Sequence, residues 1–556
     1  MNRSGLTLLS LTALLGSLLS ALPAKAQPLS AEDLANAIDL PVFNVDADDI
    51  ETNSSSLSRA DDTALQLHRQ RALPVLEAES EANAVEGVLE TEAMSAPTAE
   101  ETLQPNLDVD WNEDVEMEMG SESEPAPAHV SAVEYYSQGV RHYNKGENAL
   151  AVTSFNAAIA ANSEYAEAYV FRAAAKSALD APAAALADYA TAIYLRPDYA
   201  IAYFSRGALF SEMGELASAM EDFEQAIALS PTYVEAHNYL GFIKAAMGDH
   251  EAALVSFESA LSLDAAYAPA HMHRGTSLIA LGEFEAAIAA LSTAIDLDRT
   301  YSEALLNRGV AYYRMGTLPA ALDNLNRVLK LDPDSSEAYY NRSYVLAAMG
   351  RPNDALSDIN RVLSMQPNSV EAYMARGTLY SAQGDTAAAI ADFNRVIELD
   401  AYSDVAYQQR ALARLSRDNV SDAIDDYSSA ISLNPINEGV YKGRADAYAI
   451  YGDLPAAIAD YTYAIELDGG YSEAYAARGR SRYESGDAHG AYQDFTHVIR
   501  QDAAVNADVY YYRGLTLVAL GDTFAAQNDL QTAANLYLAN GQADGYRAVL
   551  DRISRL

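Results

Sequence analysis

Most of this chain alternates between two apolar stripes. From Ala132 to about residue 540, apolar residues recur every three or four positions, stop at a Gly or a polar turn, and then resume. That spacing predicts amphipathic helices about a dozen residues long, joined by short turns. In one stretch Tyr203, Gly207 and Phe210 share a side of a first helix. Ala219, Phe223 and Ala226 share a side of a second, with Gly214 between the helices and Pro231 after them. Steps of 34 residues repeat these features. The leading aromatic returns as Tyr135, Tyr169, Tyr339, Tyr373, Tyr407, Tyr441 and Tyr475, and the small residue of the second helix as Ala253, Ala287, Ala321, Ala355, Ala389, Ala423, Ala457 and Ala491. Gly248, Gly282, Gly316, Gly350, Gly384, Gly452 and Gly486 mark the turn, where a residue free to adopt the left-handed conformation ends the first helix. One extra residue near Val505–Asp508 shifts the last unit, which restarts at Tyr510, Arg513, Gly514 and Gly521.

The pattern predicts twelve helical hairpins over residues 131–540. Ser131 with Glu134 forms a capping box that opens the first helix. An amphipathic helix over residues 541–556 closes the series, with Tyr546, Val549, Leu550, Ile553 and Leu556 on one stripe. A lone hairpin cannot bury its aromatic face, so the units must stack.

The period of 34 and the order aromatic–x2–Arg–Gly–x2–aromatic, Ala–x3–Phe, Pro resemble the tetratricopeptide repeat. The resemblance covers about three-quarters of the chain, and it implies an all-α, right-handed superhelical solenoid of antiparallel hairpins. Residues from Asp529 to Leu556 also resemble the ends of cyanobacterial repeat proteins of this type. In the family, first helices line a concave groove that takes peptide segments. The residue after the leading aromatic, and the one four later, are expected to face it. Tyr136, Phe204, Phe242, Met272, Leu306, Tyr340, Tyr344 and Met374 then form an apolar, aromatic wall, and Lys442, Asp446 and Arg480 bring charge in hairpins ten and eleven.

Comparing the units with each other reveals a charged column. The residue before the small one of the first helix is Arg172, Arg206, Arg274, Arg308, Arg342, Arg376, Arg410, Arg444, Arg478 or Arg513 in ten units. Sixteen positions on, eight of these units carry Asp188, Asp222, Asp358, Asp392, Asp426, Asp460, Asp494 or Asp529. Each Arg is expected to pair with its own Asp or with that of a neighbouring unit. Such pairs set geometry more than they add stability. The histidines, among them His237 and His271 in the leading-aromatic column, read as packing residues, and no spacing suggests a metal site.

Composition changes sharply upstream. Arg3, an apolar run from Leu6 to Leu22 and Ala24-Lys25-Ala26 read as a Sec-type signal peptide over residues 1–26. Residues 27–130 hold 25 acidic and 3 basic residues with no lasting apolar period, the signature of a disordered acidic tether. The only Trp, Trp111, sits among acids there. The formal charge of −43 argues against nucleic acid and anionic membrane as partners. The absence of Cys removes disulfides, thiolate metal sites and thiol nucleophiles, and no cofactor or small-molecule substrate motif is present. The sequence therefore points to an exported, non-enzymatic scaffold that binds other proteins or peptides in the periplasm, a thylakoid lumen or outside the cell. An assembly factor or chaperone-like holdase for exported clients is the alternative.

Overall fold

The computed structural model describes residues 131–501 and 506–556. The expected signal peptide over 1–26 and the acidic tether over 27–130 lie outside the described residues. Twenty-five helices and no strand occur among the described residues. Ala200–Glu212 and Leu216–Leu229 make one hairpin, and Val234–Ala246 and His250–Leu263 make the next. The series runs from Ala132–Asn144 and Asn148–Ala161 to Ala507–Ala519 and Thr523–Ala539, and Ala543–Ile553 follows it.

Local chemistry sets these bounds. Ser131 Oγ accepts from the Glu134 amide at 3.2 Å while the Glu134 carboxylate accepts from the Ser131 amide at 2.7 Å, so both orphan donors of the first turn are satisfied. First helices stop at residues with positive φ, such as Gly214 at 76° and Gly248 at 83°. Where the column lacks Gly, Asp180 and Asp418 take the same left-handed conformation at 58° and 62°. Several second helices start with Pro in the first two positions, where its missing N–H removes no intrahelical bond.

Each hairpin closes on the contact between a small residue and a large apolar one, a ring in most and Leu291, Leu325, Ile359 or Leu530 in the others. A Cβ added at Gly241 would stand 2.5 Å from Phe257, and one at Gly377 would stand 2.6 Å from Phe393, so only Gly allows that approach. Ala219, Phe223 and Ala226 on the facing helix are fully buried, and burial of a Phe contributes about 2–3 kcal/mol.

The described chain forms two compact units, residues 131–307 and residues 308–556, whose boundary falls within the helix Ser302–Arg314. In the first, every helix from Ala132–Asn144 to Phe284–Leu297 packs on its chain neighbours. In the second, the same holds from Leu318–Leu331 to Ala543–Ile553. In both, successive first helices also touch one another more than successive second helices do, so first helices crowd onto one face.

Candidate interaction surface

The arginine column is built from three contacts. All eight Arg–Asp pairs form inside one hairpin, as a two-pronged fork. In Arg376, Nε and Nη2 donate to Asp392 Oδ2 and Oδ1 at 2.8 and 2.7 Å. Arg172–Asp188, Arg206–Asp222, Arg342–Asp358, Arg410–Asp426, Arg444–Asp460, Arg478–Asp494 and Arg513–Asp529 repeat that geometry within 2.6–3.0 Å. These aspartates are buried or nearly so, which leaves no carboxylate oxygen for an outside ligand. Hydrogen bonds donated to the paired aspartate raise the pKa of Arg206, Arg342 and Arg376 above the ordinary arginine value. The guanidinium also lies over its leading aromatic, for example 5.4 Å from the Tyr373 ring centroid.

The third contact reaches the preceding hairpin. Arg376 Nη1 donates to Asn360 Oδ1 at 2.7 Å, Arg342 to Asn326 at 2.7 Å, Arg410 to Asn394 at 2.6 Å and Arg172 to Asn156 at 2.7 Å. Ser428, Thr462 and Thr496 accept the same way from Arg444, Arg478 and Arg513. Sequence reasoning missed this row, although Asn326, Asn360 and Asn394 fall 34 residues apart. Where Asp is replaced, Asn324 accepts from Arg308 Nε at 3.0 Å, whereas Arg274 Nε is buried without a hydrogen-bond partner opposite Ala290.

The expected apolar wall needs correction. Tyr136, Phe204, Met272, Tyr340 and Tyr344 are buried, so they are core between hairpins and not an open surface. Tyr136 packs edge-on against Phe171 of the next hairpin, with centroids 5.6 Å apart, and Phe204 meets Tyr239 in the same way at 5.3 Å. Tyr340 and Tyr344 share a hydroxyl–hydroxyl hydrogen bond of 2.7 Å, and burial pushes the Tyr340 hydroxyl up to about 12. The physical reason is the crowding of first helices: a residue at this position points across to the next first helix. Phe242, Leu306 and Met374 remain half-exposed, as do Thr378 and Leu412. Lys442 is buried too, bound to Asp446 at 2.8 Å, and Tyr461 donates to the other Asp446 oxygen at 2.6 Å. Of that charged group Arg480 alone is exposed, held to Glu484 at 2.9 Å.

The histidines serve packing. His237 and His271 stand where Tyr stands in other hairpins, and they reproduce its bond to the carbonyl six residues back, at 3.0 and 3.1 Å against 3.3 Å for Tyr373. His273 Nδ1 meets Asn238 Oδ1 at 2.9 Å, between the rings of Phe242 and Phe257, and burial lowers its pKa to about 4. Among the described residues no group of three or more His, Asp or Glu is placed to hold a metal ion. Among them, too, no helix is long and apolar enough to cross a membrane.

Family models agree with this geometry. TPR-repeat models match residues 209–248 and 275–316, and tetratricopeptide-repeat models match 234–267, 303–335, 340–404 and 409–472. The chain is a tetratricopeptide-repeat protein. Among solved structures, a tetratricopeptide repeat protein from Parabacteroides merdae is 23% identical with a TM-score of 0.38, covering 45% of this chain and 98% of its own. Yeast Tom70 is 15% identical with a TM-score of 0.37, covering 76% and 95%, and YrrB, a TPR protein with an unusual peptide-binding site, is 25% identical with a TM-score of 0.29, covering 33% and 95%. None of the curated proteins matches it. Tetratricopeptide arrays are protein-interaction scaffolds, and on the first-helix faces of this one Phe242, Leu306, Met374 and Leu412 are apolar side chains left partly open.

Proposed function

We propose that this tetratricopeptide-repeat protein is an exported scaffold that takes partner segments on its first-helix faces. The observation that carries the reading is the half-exposure of Phe242 and Leu306 in one unit and of Met374 and Leu412 in the other, on the face where first helices crowd. Those side chains suit a segment with spaced hydrophobic anchors. Export rests on the leader pattern from Arg3 to Ala26 and on a Cys-free chain.

The test is crosslinking and affinity capture from native extract with the full chain and with Met374→Glu/Leu412→Glu. A discrete partner recovered at fixed stoichiometry and lost from the variant supports the scaffold. A partner retained by the variant removes the first-helix face from the reading, and a diffuse set of unfolded clients turns it toward a holdase. Amino-terminal sequencing of the native protein tests export: a start at Gln27 supports it, and a retained Met1 overturns it.

A further inference from the structure

The turns that end the first helices form a second surface, distinct from the first-helix face. In four of the five hairpins of residues 131–307, the residue just before the left-handed turn position is a large apolar side chain standing in solvent, and in the first it is Lys145. Leu179, Met213, Met247 and Leu281 are 47, 44, 51 and 37% exposed. An exposed acid accompanies each: Asp180, Glu215, Asp249 and Glu283. The five first helices of this unit, from Ala132–Asn144 to Ala268–Ala280, touch in succession, so these turns fall on one edge. With helix axes about 8–10 Å apart, the edge runs for roughly 30 Å. Apolar groups in a row, rimmed by charge, mark a docking surface, and Met adapts to varied contacts.

Its chemistry asks for leucine-like anchors interspersed with positive charge. One stretch of this chain has that composition. Thr63–Leu76 is the longest run without an acid in residues 27–130, and it holds two of that region's three basic residues, Arg69 and Arg71, among Leu65, Leu67, Leu73 and Leu76. The segment around Trp111 does not fit, because Asp108, Asp110, Glu113, Asp114 and Glu116 would meet the turn acids. Fourteen extended residues span up to about 46 Å, enough for the edge. The 54 residues between Leu76 and Ser131 are long enough to bridge about 40 Å and set an effective concentration on the order of millimolar.

We propose that Thr63–Leu76 docks on this edge of its own chain, its leucines against Met213 and Met247 and its arginines against the turn acids. The segment straps the amino-terminal region onto the repeats and keeps the edge covered until salt or a basic competitor displaces it. The strap does not depend on partner binding at the first-helix face.

The experiment is peroxide footprinting of the full chain and of Arg69→Glu/Arg71→Glu, with Met315, whose turn carries Thr317 in place of an acid, as internal reference. Both substitutions lie outside the repeats, and unchanged helical circular dichroism verifies that the hairpins are intact. The expected result is oxidation of Met213 and Met247 several-fold slower in the native chain than in the variant, with the difference gone at 0.5 M salt. A photocrosslinker at Gln70 should reach peptides containing Met213 or Met247 within one chain. Equal oxidation rates, crosslinks confined to other surfaces, or crosslinks that join two chains would each overturn the proposal.

Discussion

Arg376 shows how much one side chain can be asked to do in a repeat. Its five N–H donors serve Asp392 twice and Asn360 once, while its plane covers Tyr373. Arg376→Met leaves the Asp392 carboxylate buried without its partner, which costs on the order of 3–5 kcal/mol. Asp392→Leu added to it should recover a large part of that loss in urea unfolding, and strictly additive losses would show that the two side chains are uncoupled. His273 carries the opposite lesson. Its folded pKa of about 4 lies below the unfolded value near 6.5, and the groups around it, Asn238, Phe242 and Phe257, are uncharged. Stability from the neutral ring is therefore complete above pH 6.5 and is lost as pH falls toward 4, by on the order of 3 kcal/mol at the end of that window. Comparing urea midpoints at pH 7 and pH 5 should give a smaller acid loss for His273→Gln than for the native protein. Equal losses would place the acid sensitivity elsewhere.

A hairpin is the element that these residues assemble, and the ones with missing parts test the assembly. The hairpin that starts at Ala268 keeps Arg274 but has Ala290 where others have Asp, and Arg274 Nε is buried unpaired. Ala290→Asp should supply the absent fork and raise stability by about 1–2 kcal/mol, read as a higher urea midpoint, because the donor is already charged and desolvated. A lower midpoint would mean that the site cannot desolvate a carboxylate. The chain announces the hairpins plainly, since Tyr203, Gly207, Ala219 and Phe223 recur at fixed spacing and each recurrence has one physical cause. It says less about what faces what. Tyr136 and Phe204 are aromatic whether they line an open wall or plug the gap to the next hairpin, and hydrophobic periodicity within one helix cannot separate the two. The crowding of successive first helices decides it, and that is a property of the stack. The Asn360 row escaped for the converse reason: an exposed Asn on a helix looks like a solvated residue until an Arg 16 positions later is seen to reach back to it.

At the scale of the whole molecule, stability in such a stack is close to a sum over units and their nearest-neighbour contacts, so an end unit has only one neighbour to hold it. The last hairpin, Ala507–Ala519 with Thr523–Ala539, avoids that exposure through the helix Ala543–Ile553. Val549 is fully buried against a cluster of Leu530, Ala533, Ala534 and Tyr537, with Tyr546 and Ile553 beside it. A Cβ on Gly545 would stand 2.7 Å from the Tyr537 ring, so Gly there allows the helix to come close enough to cover that ring. Tyr537 in turn donates to Asp508, which ties the two helices of the hairpin together beneath the lid. Removing residues 541–556 takes away the burial of Val549, worth about 1.5–3 kcal/mol by itself, and uncovers the apolar surface beneath. Hydrogen exchange should then lose protection most over Thr523–Ala539, less over Ala507–Ala519, and hardly at all over Val370–Ala382, because the loss is passed on only through successive interfaces. Equal loss across residues 308–556 would instead mean that this unit opens as one cooperative body, with the closing helix setting the stability of the whole.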